Sequence, residues 1–194
     1  MIELAIVKLG VQHDLACRRS IHQQMVDAFM GGIPSQATPP IPIIPAPAVR
    51  ELRARLILEE ALETINAMGV TVIFSGIAST TIPKNGDFMT LLNRPDENWV
   101  APHKFQADGE CDIVEVVDGC CDIKVVTTGT LTAFGVSDDA MQFEVDSNNL
   151  RKFAEGHTIR EDGKLVKPPN HPNPRIYELL KAQGAPEQVL HPQK

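Results

Sequence analysis

The stretch RLILEEALETI, residues 55–65, decides the fold because it sets three glutamates within an otherwise apolar helical pattern. At about 100° per residue, Glu59 and Glu63 share one arc of the predicted helix with Leu56, and Glu60 lies at the margin of that arc. An acidic edge that faces only solvent is not expected to continue a leucine stripe. The carboxylates are therefore predicted to face a groove, although an ordinary charged helix face explains this motif when it is taken alone.

A second stretch, DIVEVVDGCCDIKVV at residues 112–126, repeats the pattern. Glu115, Asp118 and Asp122 fall within one helical arc, which continues into small apolar residues. Unpaired carboxylates in a low-dielectric groove cost several kcal/mol each or become protonated. A divalent metal is the leading candidate to neutralise them, since carboxylate oxygens suit Mg²⁺ or Mn²⁺ and leave positions for phosphate oxygens.

The composition and net charge of the chain limit its domain count, its partners and its location. The chain has 194 residues, of which 43% are hydrophobic and 22% charged, and this predicts a single domain over 1–194. A net charge of −7 argues against a nucleic-acid or anionic-membrane partner. No apolar run is long enough for a membrane span, and the first residues lack the pattern of a signal peptide. We expect a cytoplasmic protein, in the host cytoplasm if a phage encodes it.

Cysteines and histidines offer no alternative metal site. Cys17, Cys111, Cys120 and Cys121 form no CxxC pair and no disulfide framework, so they are predicted to be small core residues. The six histidines show no ligand spacing.

The remaining organisation is mainly helical. Helices are predicted at about 14–30, 48–68, 111–134 and 137–153, the last with Ser137 as its cap, followed by a short helix near the end. Residues 33–48 hold six prolines and are predicted to form an extended connector, pinned to the core by its isoleucines.

Two further segments lie outside these helices. Residues 70–110 form a predicted insertion arm with the strand VTVIF, the hairpin signal KNGD and Trp99, which we expect to pack near the substrate or on a neighbouring subunit. Residues 154–194 form a turn-rich tail, predicted to lie over the active site.

The fourth helix carries polar side chains at helical spacing. Glu144, Asn148 and Lys152 lie at i, i+4 and i+8, with Asn149 beside them. A solvated face explains them as well as function does when they are taken alone. Together with tail lysines, however, Lys152 and Asn149 supply cationic and amide donors suited to phosphate.

Four segments follow one another along the chain: RLILEEALE, VVDGCCDIKVVTTGTLTAFGV, FEVDSNNLRK and DGKLVKPP. In this order they resemble the MazG-like all-α NTP pyrophosphatases. That family has an EExxE helix, an ExxD helix running into a YGTA…G segment, an EVHxxNxxK helix and a GKxxKP tail. The resemblance covers roughly residues 20–180 and implies an all-α helical bundle with a small β-hairpin insertion.

The resemblance also implies a hydrolase that uses Mg²⁺ or Mn²⁺ to split a nucleoside triphosphate into the monophosphate and pyrophosphate, in control of the nucleotide pool. The implied metal ligands are Glu59, Glu60, Glu63, Asp118 and Asp122. Either Glu59 or Glu60 is the implied base for the attacking water. The implied substrate contacts are Asn149 and Lys152, with Lys164 and Lys167 closing over the substrate.

One residue departs from the family pattern. When Gly129 is aligned with the family glycine, the glutamate of ExxD falls on Gly119. Asp118 lies one residue earlier and is the expected substitute, but Glu115 with Asp118 also spells ExxD. The sequence leaves these two alternatives open.

The resemblance leaves the substrate and the assembly open too. A phage MazZ-type member would cleave dGTP or GTP, and other relatives resemble enzymes that cleave dUTP or dCTP. The base pocket is expected in the insertion arm or at His22 and Gln23 of the first helix. A homo-oligomer, a dimer or tetramer, is expected to bury the excess apolar surface. Two rival classes remain: a noncatalytic interaction or regulatory protein of the same fold, and a four-helix metal-binding or storage module, for which the sequence lacks the expected Glu-x-x-His pair.

Overall fold

A computed structural model describes residues 13–33, 36, 38–74, 103–153, 157–159, 163, 165–168 and 170–191. The helices are α1 (His13–Ala16), α2 (Ile21–Gly31), α3 (Pro47–Ala67), α4 (Ile113–Ala133), α5 (Asp139–Arg151), α6 (Ile176–Ala182) and α7 (Glu187–Leu190). The strands are β1 (Val70–Phe74), β2 (His103–Ala107), β3 (Thr158–Ile159) and β4 (Leu165–Val166). The mainly α fold with a small β-hairpin is thereby confirmed.

The chain divides into two compact units by its internal contacts. The larger unit comprises 1–54 and 125–194, and the smaller unit comprises 55–124. The division falls inside the two long helices α3 and α4, so each of these helices contributes residues to both units.

The larger unit is organised around Gln23, whose side chain on α2 is fully buried. Its Nε2 donates to the carbonyl oxygen of Val136 over 2.7 Å, and its Oε1 accepts from the backbone N–H of Asp138 over 2.9 Å. Val26, Met30 and Ala133 form an apolar cluster in the same unit. The expectation that Gln23 lines a base pocket is therefore wrong, because all of its polar atoms serve the core.

A single helix over 14–30 is also wrong, because α1 ends at Ala16 and α2 begins at Ile21. Ser20 separates them, and its Oγ accepts from the backbone N–H of Gln23 over 3.0 Å as an N-cap. The backbone N–H of Ser20 donates to the carboxylate of Asp138 over 2.8 Å, and its Oγ–H donates over 2.5 Å. The cap thus ties α2 to the segment that precedes α5.

Ser137 does not cap α5, contrary to the prediction from the sequence. Ser137 is buried, and its backbone N–H donates to Oε1 of Gln183 over 2.9 Å. The residue at the N-cap position is Asp138, which makes no side-chain cap hydrogen bond because its carboxylate binds Ser20.

The proline-rich connector packs on the larger unit, as predicted, but through different atoms. Pro42 and Pro45 are buried, whereas Ile41 and Ile44 are exposed. A β-carbon at Gly135, where φ is 70°, would lie 2.0 Å from the carbonyl oxygen of Ile41. Proline rings and close backbone contact therefore hold the connector together with the half-buried Ile43, whereas Ile41 and Ile44 are largely exposed.

The smaller unit contains the hairpin of the insertion arm. β1 and β2 pair antiparallel from Val70 opposite Ala107 to Phe74 opposite His103, which confirms the VTVIF strand. The KNGD turn and Trp99 lie outside the described residues. Among the helices that the structure describes, none is long and apolar enough to cross a membrane.

Candidate active site

The candidate site begins where α3 and α4 meet in the smaller unit. The backbone N–H of Asp112 donates to the carbonyl oxygen of Ala67 over 2.9 Å, which joins the end of α3 to the start of α4. A β-carbon added at Gly119 would lie 2.4 Å from Oγ1 of Thr64. The two helices therefore run antiparallel and touch closely at Thr64 and Gly119.

This contact brings the acidic motifs together. In an antiparallel pair, one turn back along α3 corresponds to one turn forward along α4. Glu60 lies one turn before Thr64, and Asp122 lies one turn after Gly119. These two carboxylates consequently stand on facing turns, and the side chain of Thr64 donates to the carbonyl oxygen of Glu60 over 2.7 Å.

Glu60 is the electrostatic centre of the cluster. Burial raises its pKa, and neighbouring negative charges raise the pKa further. Those charges, in decreasing order of effect, belong to Asp122, Glu63, Glu59 and Asp118. The structure therefore brings four of the sequence-predicted metal ligands into electrostatic range of the fifth, Glu60.

The arrangement corrects one prediction from the sequence and bears on an alternative that the sequence left open. Glu60, expected at the margin of the acidic arc, is the partly buried member, while Glu59, Glu63, Asp118 and Asp122 are exposed. The cause is that the helices meet through Thr64 and Gly119, which directs Glu60 toward α4. Asp118 is among the charges that act on Glu60 and Glu115 is not, which favours Asp118 over Glu115 as the partner in ExxD.

The donor set fits a divalent cation in its chemistry. Four carboxylates surround the partly buried Glu60, and every charge that shifts its pKa is negative, which is the environment that Mg²⁺ or Mn²⁺ neutralises. Within the described ranges, however, no three His, Cys, Asp or Glu side chains converge closely enough to hold a metal ion. The exposed carboxylates would have to change rotamer to close a coordination shell.

Gly119 provides a direct test of the helix contact. We expect Gly119→Ala to lower the midpoint of thermal unfolding, because its β-carbon would collide with Oγ1 of Thr64, and overpacking costs about 1–3 kcal/mol. Combining it with Thr64→Ala, which removes that oxygen, should recover part of the loss in a double-mutant cycle. If Gly119→Ala unfolds like the wild type, the close contact is absent in solution.

A second group of predicted residues lies at the end of α5, in the larger unit. Asn149 and Lys152 line a cavity of about 410 Å³ together with Asp146, Leu150, Phe153 and Leu165. Nζ of Lys152 donates to Oδ1 of Asn149 over 2.6 Å. The pocket is open to solvent, and its lining offers an apolar floor with an amide and a cation at its edge.

Glu144 and Asn148, on the same helix, serve the fold rather than a ligand. Both are buried, and the carboxylate of Glu144 accepts from the guanidinium groups of Arg151 and Arg175 over 3.3 and 3.1 Å. Nδ2 of Asn148 donates to the carbonyl oxygen of Pro172 over 2.9 Å. These bonds attach the tail to α5, which the sequence spacing alone did not indicate.

Of the two tail lysines predicted to close over the substrate, Lys167 lies within the described residues. Lys167 is exposed, and its charge acts on His171, as does that of Lys152. Lys167 and Lys152 are thus close to one histidine that the sequence analysis did not single out. Lys164 lies outside the described residues.

The cysteines are not core residues. Cys111, Cys120 and Cys121 are exposed, and only Cys17 is partly covered. The outer face of α4 exposes Ile113, Val114 and Val117 as well, because in the single chain no described element covers it.

An antiparallel helix pair with facing carboxylates, in a mainly helical chain with a small hairpin, defines the class of all-α NTP pyrophosphatases to which the MazG-like proteins belong. Residues 27–149 match the model of the phosphoribosyl-ATP pyrophosphohydrolase family, and the chain belongs to that family. No curated protein matches the chain. Membership implies a nucleotide pyrophosphohydrolase activity in general terms.

Proposed function

We propose that this protein is a Mg²⁺- or Mn²⁺-dependent pyrophosphohydrolase that cleaves a nucleoside or deoxynucleoside triphosphate to the monophosphate and pyrophosphate. The observation that carries the proposal is the close contact of α3 with α4 at Thr64 and Gly119, which places Glu60 among four neighbouring carboxylates whose charges raise its pKa. A cluster of this kind is costly to keep ionised unless a cation is bound. Titratable groups with strongly perturbed environments also mark catalytic sites.

The carboxylates have distinct proposed roles. Glu60 and Asp122 face each other across the helix contact and would hold the metal, with Glu63 and Asp118 completing its shell. Bound metal would polarise the phosphoryl oxygens and neutralise the leaving pyrophosphate. Glu59 is exposed beside Glu60 and is our candidate for the base that takes a proton from the attacking water.

Substrate contacts are proposed for the end of α5. Asn149 and Lys152 supply donors for phosphate or sugar oxygens, and the apolar side chains of Leu150 and Phe153 beside them suit a nucleobase or ribose face. Guanine nucleotides of a phage system are our first choice of substrate, with dUTP or dCTP as the alternative.

Release of pyrophosphate from a panel of substrates tests this function. Purified protein with Mg²⁺ or Mn²⁺ should release pyrophosphate from dUTP or from at least one of the common dNTPs and NTPs, and EDTA should abolish the release. Phosphoribosyl-ATP belongs in the panel because the family carries its name. A protein that releases pyrophosphate from none of them, with either metal, would be the noncatalytic member of the fold instead.

We also propose a homo-oligomer, because the smaller unit exposes several large apolar side chains on α3 and α4. They are Leu58, Leu62, Ile113, Val114 and Val117. Surface of this kind is uncommon on monomers and is buried when copies of a chain associate.

Light scattering at micromolar concentration should therefore report a dimer or tetramer. Val114→Glu should shift it toward the monomer, since Val114 is 70% exposed in the single chain. Ile159→Glu is the matched control, because Ile159 is 64% exposed but lies in the short strand β3. A wild-type monomer would contradict the proposal.

A further inference from the structure

The hydrogen bonds of Asn148 fix the protonation pattern of His171. The carbonyl oxygen of Pro172 can only accept, so the nitrogen of the Asn148 amide must face it, at 2.9 Å. The amide oxygen then faces Nε2 of His171, also at 2.9 Å. Because Asn148 is only 3% exposed, water cannot replace either partner. Nε2 therefore carries a hydrogen, and Nδ1 is the nitrogen that can gain or lose a proton.

His171 is surrounded by cations. Burial lowers its pKa, and the charges of Lys167, Lys152 and Arg151 lower it further, while a hydrogen bond with the backbone of Asn148 acts in the opposite direction. These effects disfavour the protonated form of the ring in the free protein. Arg151 also pairs with Glu144, so Lys152 and Lys167 are the cations in this group that are available to a ligand.

The same lysine connects His171 to the cavity at the end of α5. Lys152 and Asn149 line this cavity of about 410 Å³. The buried pairs of Glu144 with Arg175 and of Asn148 with Pro172 hold residues 171–175 against α5. The position of His171 is therefore set by the core of the larger unit and does not depend on a flexible side chain.

We propose that His171, Lys152 and Lys167 form an anion subsite for the polyphosphate chain of the nucleotide, in which Nδ1 of His171 takes up a proton from solvent when the anion binds. The inference rests on the proposed function, because it identifies the anion as the substrate's polyphosphate. An arriving anion cancels the repulsion from Lys152 and Lys167 that keeps the imidazole neutral. Nδ1–H can then donate to a phosphate oxygen while Nε2–H remains on Asn148.

Imidazole titration by nuclear magnetic resonance measures this coupling. The ring Cε1–H signals of the six histidines are followed from pH 5 to 8.5, with and without inorganic pyrophosphate, in the absence of divalent metal. His171→Gln assigns the signal, since glutamine retains an N–H donor for Asn148 and cannot titrate. We expect the midpoint of His171 to rise by about one pH unit with pyrophosphate, which corresponds to roughly tenfold tighter binding to the protonated form.

His191→Gln is the matched control, because His191 is exposed and contacts Tyr177 and Glu187 instead of the lysines. It should leave pyrophosphate affinity unchanged, whereas His171→Gln should remove the gain in affinity between pH 8 and pH 5.5. A midpoint that pyrophosphate does not move, whether or not the anion binds elsewhere, overturns the subsite. If the protein cleaves nucleotides but pyrophosphate does not move the titration midpoint of His171, the subsite is refuted and the proposed function stands. If pyrophosphate moves the midpoint but the protein cleaves no nucleotide, only the proposed function is refuted.

Discussion

Glu60→Gln is expected to lower metal-dependent turnover by roughly 100-fold or more, because a metal that stabilises the phosphoryl charge contributes several kcal/mol and each 1.36 kcal/mol is about tenfold in rate. Asp122→Asn should have an effect of the same order, since Asp122 exerts the largest of the charge effects on Glu60. Pyrophosphate release under saturating metal is the measurement. Circular dichroism should show the helices intact in both variants.

Glu115→Gln is the matched control for these variants. Glu115 lies on α4 and is exposed, but it is not among the carboxylates that act on Glu60. Its turnover should stay within about twofold of wild type if Asp118 rather than Glu115 completes the second acidic motif. A large loss in Glu115→Gln together with full activity in Glu60→Gln would refute the assigned ligand set.

The same cluster has a predicted signature in the absence of metal. A carboxyl whose pKa is raised on folding is destabilising once the pH exceeds the ordinary value of a glutamate, so metal-free stability should fall as the pH rises through the raised pKa of Glu60. Glu60→Gln removes that titration and relieves repulsion, so the variant should unfold at a higher temperature than wild type in EDTA at neutral pH. Glu60→Gln is therefore expected to raise the metal-free unfolding temperature although it lowers turnover.

The helices were predictable because their signals are local. Apolar periodicity and the flanking Gly69 and Gly135 place α3 and α4 to within about two residues of their observed limits. What failed depends on partners far along the chain. Ser20 interrupts the first helix because it binds Asp138, and a pair separated by more than one hundred residues leaves no trace in a local pattern.

The candidate site was predictable in its chemistry and not in its geometry. The acidic motifs indicate from the sequence that Glu60 and Asp122 are candidate metal ligands. Their positions on facing turns, however, depend on the contact between Gly119 and Thr64. At Gly119 a glutamate would not fit without displacing α3, which gives a physical reason for the departure from the family pattern. His171 was missed because its role depends on the buried Asn148. The turn-forming PPNHP sequence around it was the one available signal.

Glu144→Ala is expected to have the largest effect on stability, with a loss of about 2 kcal/mol in the free energy of unfolding. The carboxylate of Glu144 accepts from Arg151, from Arg175 and from the backbone N–H of Arg175. Losing a buried charged acceptor costs about 1.5–3 kcal/mol per hydrogen bond. The arginine side chains are 36% and 46% exposed, so water compensates part of that loss.

The pH dependence of stability distinguishes the charge of Glu144 from its volume. Burial raises its pKa, but the hydrogen bonds and charge of Arg175 and the charge of Arg151 outweigh burial, so the pKa of Glu144 is lowered on folding. Its charge therefore contributes stability above the ordinary value of 4.5, and this contribution is lost as the pH falls through the lowered pKa. Urea unfolding of Glu144→Gln should show a deficit in the free energy of unfolding at pH 7 that shrinks toward pH 3.

Glu187→Gln is the control, because it breaks a 3.7 Å pair between exposed side chains. It should change the free energy of unfolding by only a few tenths of a kcal/mol at either pH. A deficit of Glu144→Gln that stays constant with pH would mean that packing, and not the ion pairs with Arg151 and Arg175, holds the tail on α5.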